Sequence, residues 1–101
     1  MKFNKLVRDK IPEIIRGKGE SPVTRIADDN EYWQRLKDKL EEEVSEFIES
    51  EKKEEIADIL EVIHAICAFR KVGRDELEQF RKKKAEERGG FKEKIILESK
   101  E

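Results

Sequence analysis

From residue 28 onward the apolar positions recur at intervals of three and four. Trp33, Leu36, Leu40, Val44 and Phe47 form one stripe, and Ile48 widens it near its end. That spacing predicts an amphipathic helix. Asp28, Asp29 and Asn30 are all residue types that cap a helix N-terminus, so the helix is expected to begin there. A second helix is expected with Ser50 as its cap and Ile56, Ile59, Leu60, Ile63, Ile66 and Cys67 as its stripe. Val62, Ala65, Ala68 and Phe69 spread apolar character around much of that helix, the pattern of a central element or one buried against a second subunit. Gly73 is expected to end it. Asp75 should then cap a third helix, with Glu78 at the capping-box position and Leu77 and Phe80 facing inward.

The flanks read differently. Pro12, Gly17, Gly19 and Pro22 interrupt residues 1–27. They leave a short helical turn over residues 10–15, with Pro12 at its first position, then a loop from Gly17 to Thr24 and an extended piece from Val23 to Ile26. After the third helix, Arg88-Gly89-Gly90-Phe91 acts as a stop, and Ile95, Ile96 and Leu97 form a tail strand or a segment packed on a neighbour. The expected fold is therefore all-α, one domain over residues 1–101. An antiparallel helical hairpin core carries a third helix and short irregular N- and C-terminal segments, and the chain assembles as an oligomer. A domain this short buries a modest fraction of its surface, and association is one way to complete its core.

Composition narrows the function classes. Of the 101 residues, 36% are hydrophobic and 48% charged, yet the net charge is only -2. Such a balance provides no global field for nucleic acid or an anionic membrane, so no polymer or membrane partner is expected. No apolar run reaches transmembrane length, and Met1-Lys2-Phe3-Asn4-Lys5 is not followed by a signal-peptide core. A cytoplasmic protein is expected. Cys67, the one cysteine, lies in an apolar helical stretch and reads as a small buried hydrophobe.

The candidate chemistry lies in acidic residues. Glu43 and Glu46 are three positions apart on the first long helix, and Glu55 and Asp58 are three apart on the second. Each pair projects from one helical face. A chain reversal around residues 49–51 would set Glu46 level with Glu55 and Glu43 level with Asp58. Four converging carboxylates repel one another, and a divalent cation reverses that cost. An oxygen-only set suits Mg2+ or Mn2+, while the lack of paired histidines or cysteines argues against zinc. Glutamates beside lysines are ordinarily a solvated face. These differ by placement: Glu43 adjoins Val44, and Asp58 lies between Ile56 and Ile59. Glu61, three residues beyond Asp58, is a candidate for an outer role; Glu42 and Glu54 read as surface charge, and His64 as a packed or partly exposed polar group.

These motifs, Glu42-Glu43-Val44-Ser45-Glu46 and Glu55-Ile56-Ala57-Asp58, resemble those of the all-α nucleoside triphosphate pyrophosphohydrolase superfamily, which includes MazG-like and phosphoribosyl-ATP pyrophosphatase-like proteins. The opening Asn4-Lys5-Leu6-Val7-Arg8-Asp9-Lys10-Ile11-Pro12-Glu13-Ile14-Ile15 and the later Arg88-Gly89-Gly90-Phe91 resemble its short, house-cleaning-type subgroup. The resemblance covers nearly the whole chain. One departure is that eight residues separate Glu46 from Glu55, fewer than in the usual MazG pattern.

The resemblance implies that Glu43, Glu46, Glu55 and Asp58 bind Mg2+ or Mn2+. It also implies hydrolysis of a nucleoside triphosphate between the α and β phosphates. Glu43 and Glu55 are the catalytic candidates, Glu55 being either a ligand or the group that deprotonates water. Lys5, Arg8, Lys10, Lys84 and Arg88 are the candidates for holding phosphate, with Asp9 orienting Arg8 or Lys10. Trp33 is expected in the core, and Phe91 is an alternative aromatic contact for a base. Three other readings stay open: a helical module whose acidic patch binds a basic partner, a nucleotide binder without hydrolysis, and a pyrophosphohydrolase for a phosphoribosyl nucleotide. A homodimer or higher homo-oligomer is expected throughout.

Overall fold

The computed structural model describes residues 4–101; Met1 to Phe3, part of the N-terminal stretch read above for a leader, lie outside them. Four helices make up the fold: α1 (Ile11–Gly17), α2 (Asp29–Ser50), α3 (Lys53–Phe69) and α4 (Arg74–Arg88). No strand occurs among the described residues. The extended segments expected at 23–26 and 95–97 have no sheet to join; without ladder partners they run as irregular, exposed chain. No helix among the described residues is long and apolar enough to cross a membrane.

The principal packing is between α2 and α3. Asp28 caps α2 by accepting a hydrogen bond from the Glu31 N–H at 2.8 Å, within the expected start region. At the other end Glu51 adopts a left-handed conformation (φ 59°), and its N–H donates to the Phe47 carbonyl at 2.7 Å. Only Glu51 and Lys52 separate the two helices, so the chain reverses into a tight antiparallel hairpin. Ser50 therefore closes α2 and does not open α3. Its Oγ accepts from the Lys52 N–H, and α3 begins without a side-chain cap. Glu54 and Glu55 in the first turn of α3 place negative charge at its positive dipole end.

The seam keeps Leu36, Leu40 and Phe47 of the expected α2 stripe but takes Glu43 in place of Val44. Leu36, Glu43, Val62 and Cys67 are buried, whereas Val44, Ile56 and Leu60 are exposed. On α2 the inward positions are Leu36, Leu40, Glu43 and Phe47, a four-three-four spacing that passes over Val44. A two-residue turn fixes which faces meet, and it leaves Val44, Ile48, Ile56 and Leu60 exposed. At the open end of the hairpin, Trp33 stacks on Phe69 with ring centroids 5.5 Å apart, and Tyr32 meets Phe69 edge-on. Trp33 is thus a packing anchor, as its place in the stripe implied.

Helix α3 stops at Phe69, before Gly73. Lys71 takes the left-handed position (φ 59°), and the N–H groups of Lys71 and Val72 donate to the carbonyls of Ala68 and Cys67. These two bonds form the Schellman pattern, here without glycine. Gly73 instead precedes α4, and its N–H donates to Glu76 Oε1 at 3.4 Å; Asp75 sits inside the first turn. Helix α4 packs lightly on α3, leaving Phe80 exposed where an inward position was expected. It ends at Arg88, with Gly89 at φ 82° supplying the stop.

The N-terminal segment is held to the hairpin by charge. Arg35 donates to the Asn4 carbonyl at 3.0 Å, Lys5 pairs with Glu42, and Arg8 pairs with Asp58. Near the start of α2, both outer guanidinium nitrogens of Arg25 reach Glu31, at 2.6 and 2.7 Å, and Arg35 reaches it from one turn later. The hydrogen bonds from Arg25 hold the Glu31 carboxyl down at about 2, from an ordinary 4.5. A depressed carboxyl stabilises the fold above its unfolded value and loses that contribution as pH falls through its folded value. A side-chain NMR titration of Glu31 should therefore show a midpoint near 2, with stability declining between about pH 4.5 and 2. In Arg25→Ala the midpoint should move back toward 4.5; an unchanged midpoint would contradict the pairing.

Candidate metal centre

The hairpin brings Glu43, Glu55 and Asp58 together. One carboxylate oxygen from each lies within 4.8 Å of the others, close enough to share one cation. Glu43 comes from the buried seam of α2, whereas Glu55 and Asp58 occupy successive turns near the start of α3. Glu46, the fourth expected ligand, is exposed on α2 and is not one of these three, though its charge bears on Glu43. The expected alignment of Glu43 with Asp58 is present. Glu46 lies one turn beyond Glu43, near the rim.

Glu43 distinguishes the group from a solvated acidic face. Its side chain is 9% exposed, and its Oε2 is buried with no hydrogen-bond partner. Its Oε1 forms an ion pair with Lys39 at 3.3 Å. Burial pushes the Glu43 carboxyl up from its ordinary value, and the nearby Glu46 charge adds to that against the opposing pull of Lys39. A buried carboxylate oxygen without a donor is costly unless a cation or donor occupies its lone pairs. The donor set consists only of carboxylates, with Glu43 buried and Glu55 and Asp58 partly exposed. It fits a hard divalent cation such as Mg2+ or Mn2+.

Cations surround the acids. Arg8 reaches Asp58 Oδ1 at 2.8 Å, and Lys5 reaches Glu42 Oε1 at 3.2 Å. Lys39 bridges Glu42 Oε2 at 3.1 Å and Glu43. Burial pushes the Glu42 carboxyl up, but the hydrogen bonds from Lys39 and Lys5 outweigh it and leave Glu42 low. Glu42, read from sequence as surface charge, is therefore the half-buried junction of two lysines. Lys5, Arg8 and Lys39 also line a cleft of about 340 Å³, together with Val7, Ile11 and Ile15 from the N-terminal segment and α1. The cleft has a cationic rim and an apolar wall.

Other expected contributors lie elsewhere. Lys10 and Asp9 are exposed, and among the described residues Asp9 makes no ion pair; Arg8 is oriented by Asp58 instead. Glu61 is exposed and outside the carboxylate group, while His64 is half-buried in α3. Lys84 and Arg88 lie on α4, where Lys84 lines a separate cleft with Phe80, Lys83 and Glu87. Phe91 is almost fully exposed in the tail. Sequence reading missed Lys39. Its signal was present: a lysine three and four residues before Glu42 and Glu43 shares their helical face.

No family model matches the chain, and no solved structure matches it. A curated protein of Mycolicibacterium smegmatis, described as an uncharacterized protein, is 58% identical over 41 residues. The match covers 41% of this chain and 42% of that relative, so the chain spans less than half the length of the protein it resembles.

The unpaired oxygen gives a direct test. In Glu43→Gln the buried negative charge is gone, so thermal stability in chelator should rise by a few degrees, roughly the effect of 1 kcal/mol in a domain of this size. Mn2+ should raise the melting temperature of the wild type and leave Glu43→Gln unmoved. A Mn2+ shift of equal size in both proteins would remove Glu43 from the cation site.

Proposed function

We propose that the chain is a divalent-metal-dependent pyrophosphohydrolase acting on nucleoside triphosphates. The observation that carries this reading is the buried, unpartnered Glu43 oxygen within a three-carboxylate group, beside a cleft rimmed by Lys5, Arg8 and Lys39. Acidic residues that accept a cation, set against basic residues that accept phosphate, match the demands of a metal-bound polyphosphate. The sequence resemblance points to the same chemistry.

In this reading Glu43, Glu55 and Asp58 hold Mg2+ or Mn2+, with Glu46 joining from the rim. The bound ion offsets charge on the phosphates and lowers the pKa of water. Arg8 and Lys5 hold phosphate oxygens, Arg8 by its planar fork and Lys5 as a point charge. Glu55 orients the attacking water and takes its proton. The water oxygen bonds to the α phosphorus as the bond to the α-β bridging oxygen breaks, leaving a nucleoside monophosphate and pyrophosphate. Val7, Ile11 and Ile15 supply an apolar wall for the nucleoside.

The assay is a panel of canonical and modified nucleoside triphosphates with Mg2+, Mn2+ or chelator. Pyrophosphate and monophosphate should form, vanish with chelator, and fall at least about a hundredfold in Glu43→Gln, as for loss of a group acting on the transition state. Orthophosphate as the first product would overturn α-β cleavage. A folded protein without turnover on any substrate would favour a non-catalytic helical module.

The partner that completes the subunit is a second copy of the chain. The accessible surface is 9690 Å², against about 6,000 Å² expected for a compact monomer of this mass. The radius of gyration is 18.0 Å, against about 13 Å. Val44, Ile48, Ile56 and Leu60 leave apolar side chains exposed on both helices of the hairpin. An apolar face shared by two antiparallel helices can pack on its own copy about a two-fold axis, making a four-helix layer. Sedimentation at micromolar concentration should give a dimer or larger species, and Leu60→Asp should shift it toward monomer. A stable wild-type monomer would reject the assembly.

A further inference from the structure

Lys39 stands at the junction of the two halves of the site. Its side chain is 18% exposed, and its ammonium lies 3.1 Å from Glu42 Oε2 and 3.3 Å from Glu43 Oε1. The same residue lines the cleft that Lys5 and Arg8 rim from the opposite segment. It thus touches a carboxylate of the metal group and borders the space where an anion would sit.

We propose that Lys39 is an exchangeable counter-ion: it holds Glu43 in the metal-free protein, and cation loading releases it to grip the phosphate of an incoming polyphosphate. The inference rests on the metal-site reading above and adds an order of binding, cation before anion. Three features of the geometry support it. First, Glu42 retains Lys5 as a second partner, whose three ammonium donors can serve Glu42 and a phosphate oxygen together, so Lys39 can leave without stranding that carboxylate. Second, Glu43 becomes satisfied by the incoming cation, and the cation repels the neighbouring ammonium. Third, a lysine stem with four rotatable carbons lets the ammonium move while its backbone stays fixed on α2. Arg8 needs no such exchange: it is paired to Asp58 alone among the described carboxylates through one nitrogen, and its remaining N–H groups can take phosphate while that pair stays.

Exchange makes two opposite predictions for one substitution. Lys39→Met removes a cation that competes for Glu43, so Mn2+ binding measured by calorimetry without phosphate should tighten by roughly five- to tenfold, within the usual range of site-to-site coupling. The same variant loses a charge-assisted hydrogen bond to the anion. Pyrophosphate binding to the Mn2+-loaded protein should therefore weaken on the order of ten- to a hundredfold. Without Mn2+, pyrophosphate should bind wild type and variant equally weakly, because Lys39 is then engaged with Glu42 and Glu43. In chelator the variant should melt below wild type, and Mn2+ should close the gap.

The outcomes separate. Weaker Mn2+ binding in Lys39→Met, or equal loss of pyrophosphate affinity with and without Mn2+, would overturn the exchange. Mn2+ affinity unchanged from wild type would do the same while leaving the metal site intact. No Mn2+ binding by wild type would sink the metal-site reading itself. Should Lys39→Met lose its helical circular dichroism, Lys39→Gln, which keeps a donor for Glu42, is measured in its place against the same outcomes.

Discussion

The rest of the site depends on one carboxylate being placed where an apolar residue belongs. Glu43 occupies a seam position of α2, buried against α3, with one oxygen held by Lys39 and the other unpaired. A monomeric core of this size has little apolar burial with which to offset such a group: among the described residues the buried hydrophobes are Leu36, Val62 and Cys67. The surrounding charges are arranged in response. Lys39 comes from the same helix, Lys5 and Arg8 come from the N-terminal segment, and each settles on a carboxylate of the group or its immediate neighbour.

This arrangement explains why the N-terminal segment lies where it does. It contributes no buried side chain among the described residues, and hydrogen bonds to Glu42, Asp58 and the Arg35 guanidinium bring it across the hairpin. Exposed ion pairs of this kind are individually weak. Their value here is positional: the acids that lack partners locate the cations that border the cleft. The acidic group and the cationic rim are thus parts of one electrostatic arrangement, held together by the hairpin beneath them. Val44, Ile48, Ile56 and Leu60 stay exposed on the same two helices.

Much of this was legible in the chain. The three- and four-residue spacing from Trp33 to Phe47 and from Ile56 to Cys67 set two helices, and Asp28 and Gly89 marked two of their ends. Glu43, Glu55 and Asp58 were identifiable because spacing by three places side chains on one face, and a short turn brings the faces together. The stripe on α2 departs at one position: Val44, expected inward, is exposed and its neighbour Glu43 is buried. An amphipathic helix with adjacent candidates of either kind does not itself choose between two faces about 100° apart. Ser50 and Gly73 were assigned by residue preference alone, and the compact turns around Glu51 and Lys71 overrode that preference.

What the sequence determined, then, was local: helix periodicity, the residue types able to bind a hard cation, and their spacing along each helix. These follow from backbone geometry within a few residues. The tertiary structure decided where on each helix the seam runs, that Glu43 was buried with an unpaired oxygen, and that Lys5 and Arg8 reach the acidic group from the N-terminal segment. Those properties depend on the rotation of two helices about their axes and on a segment dozens of residues away, and no local spacing specifies either one.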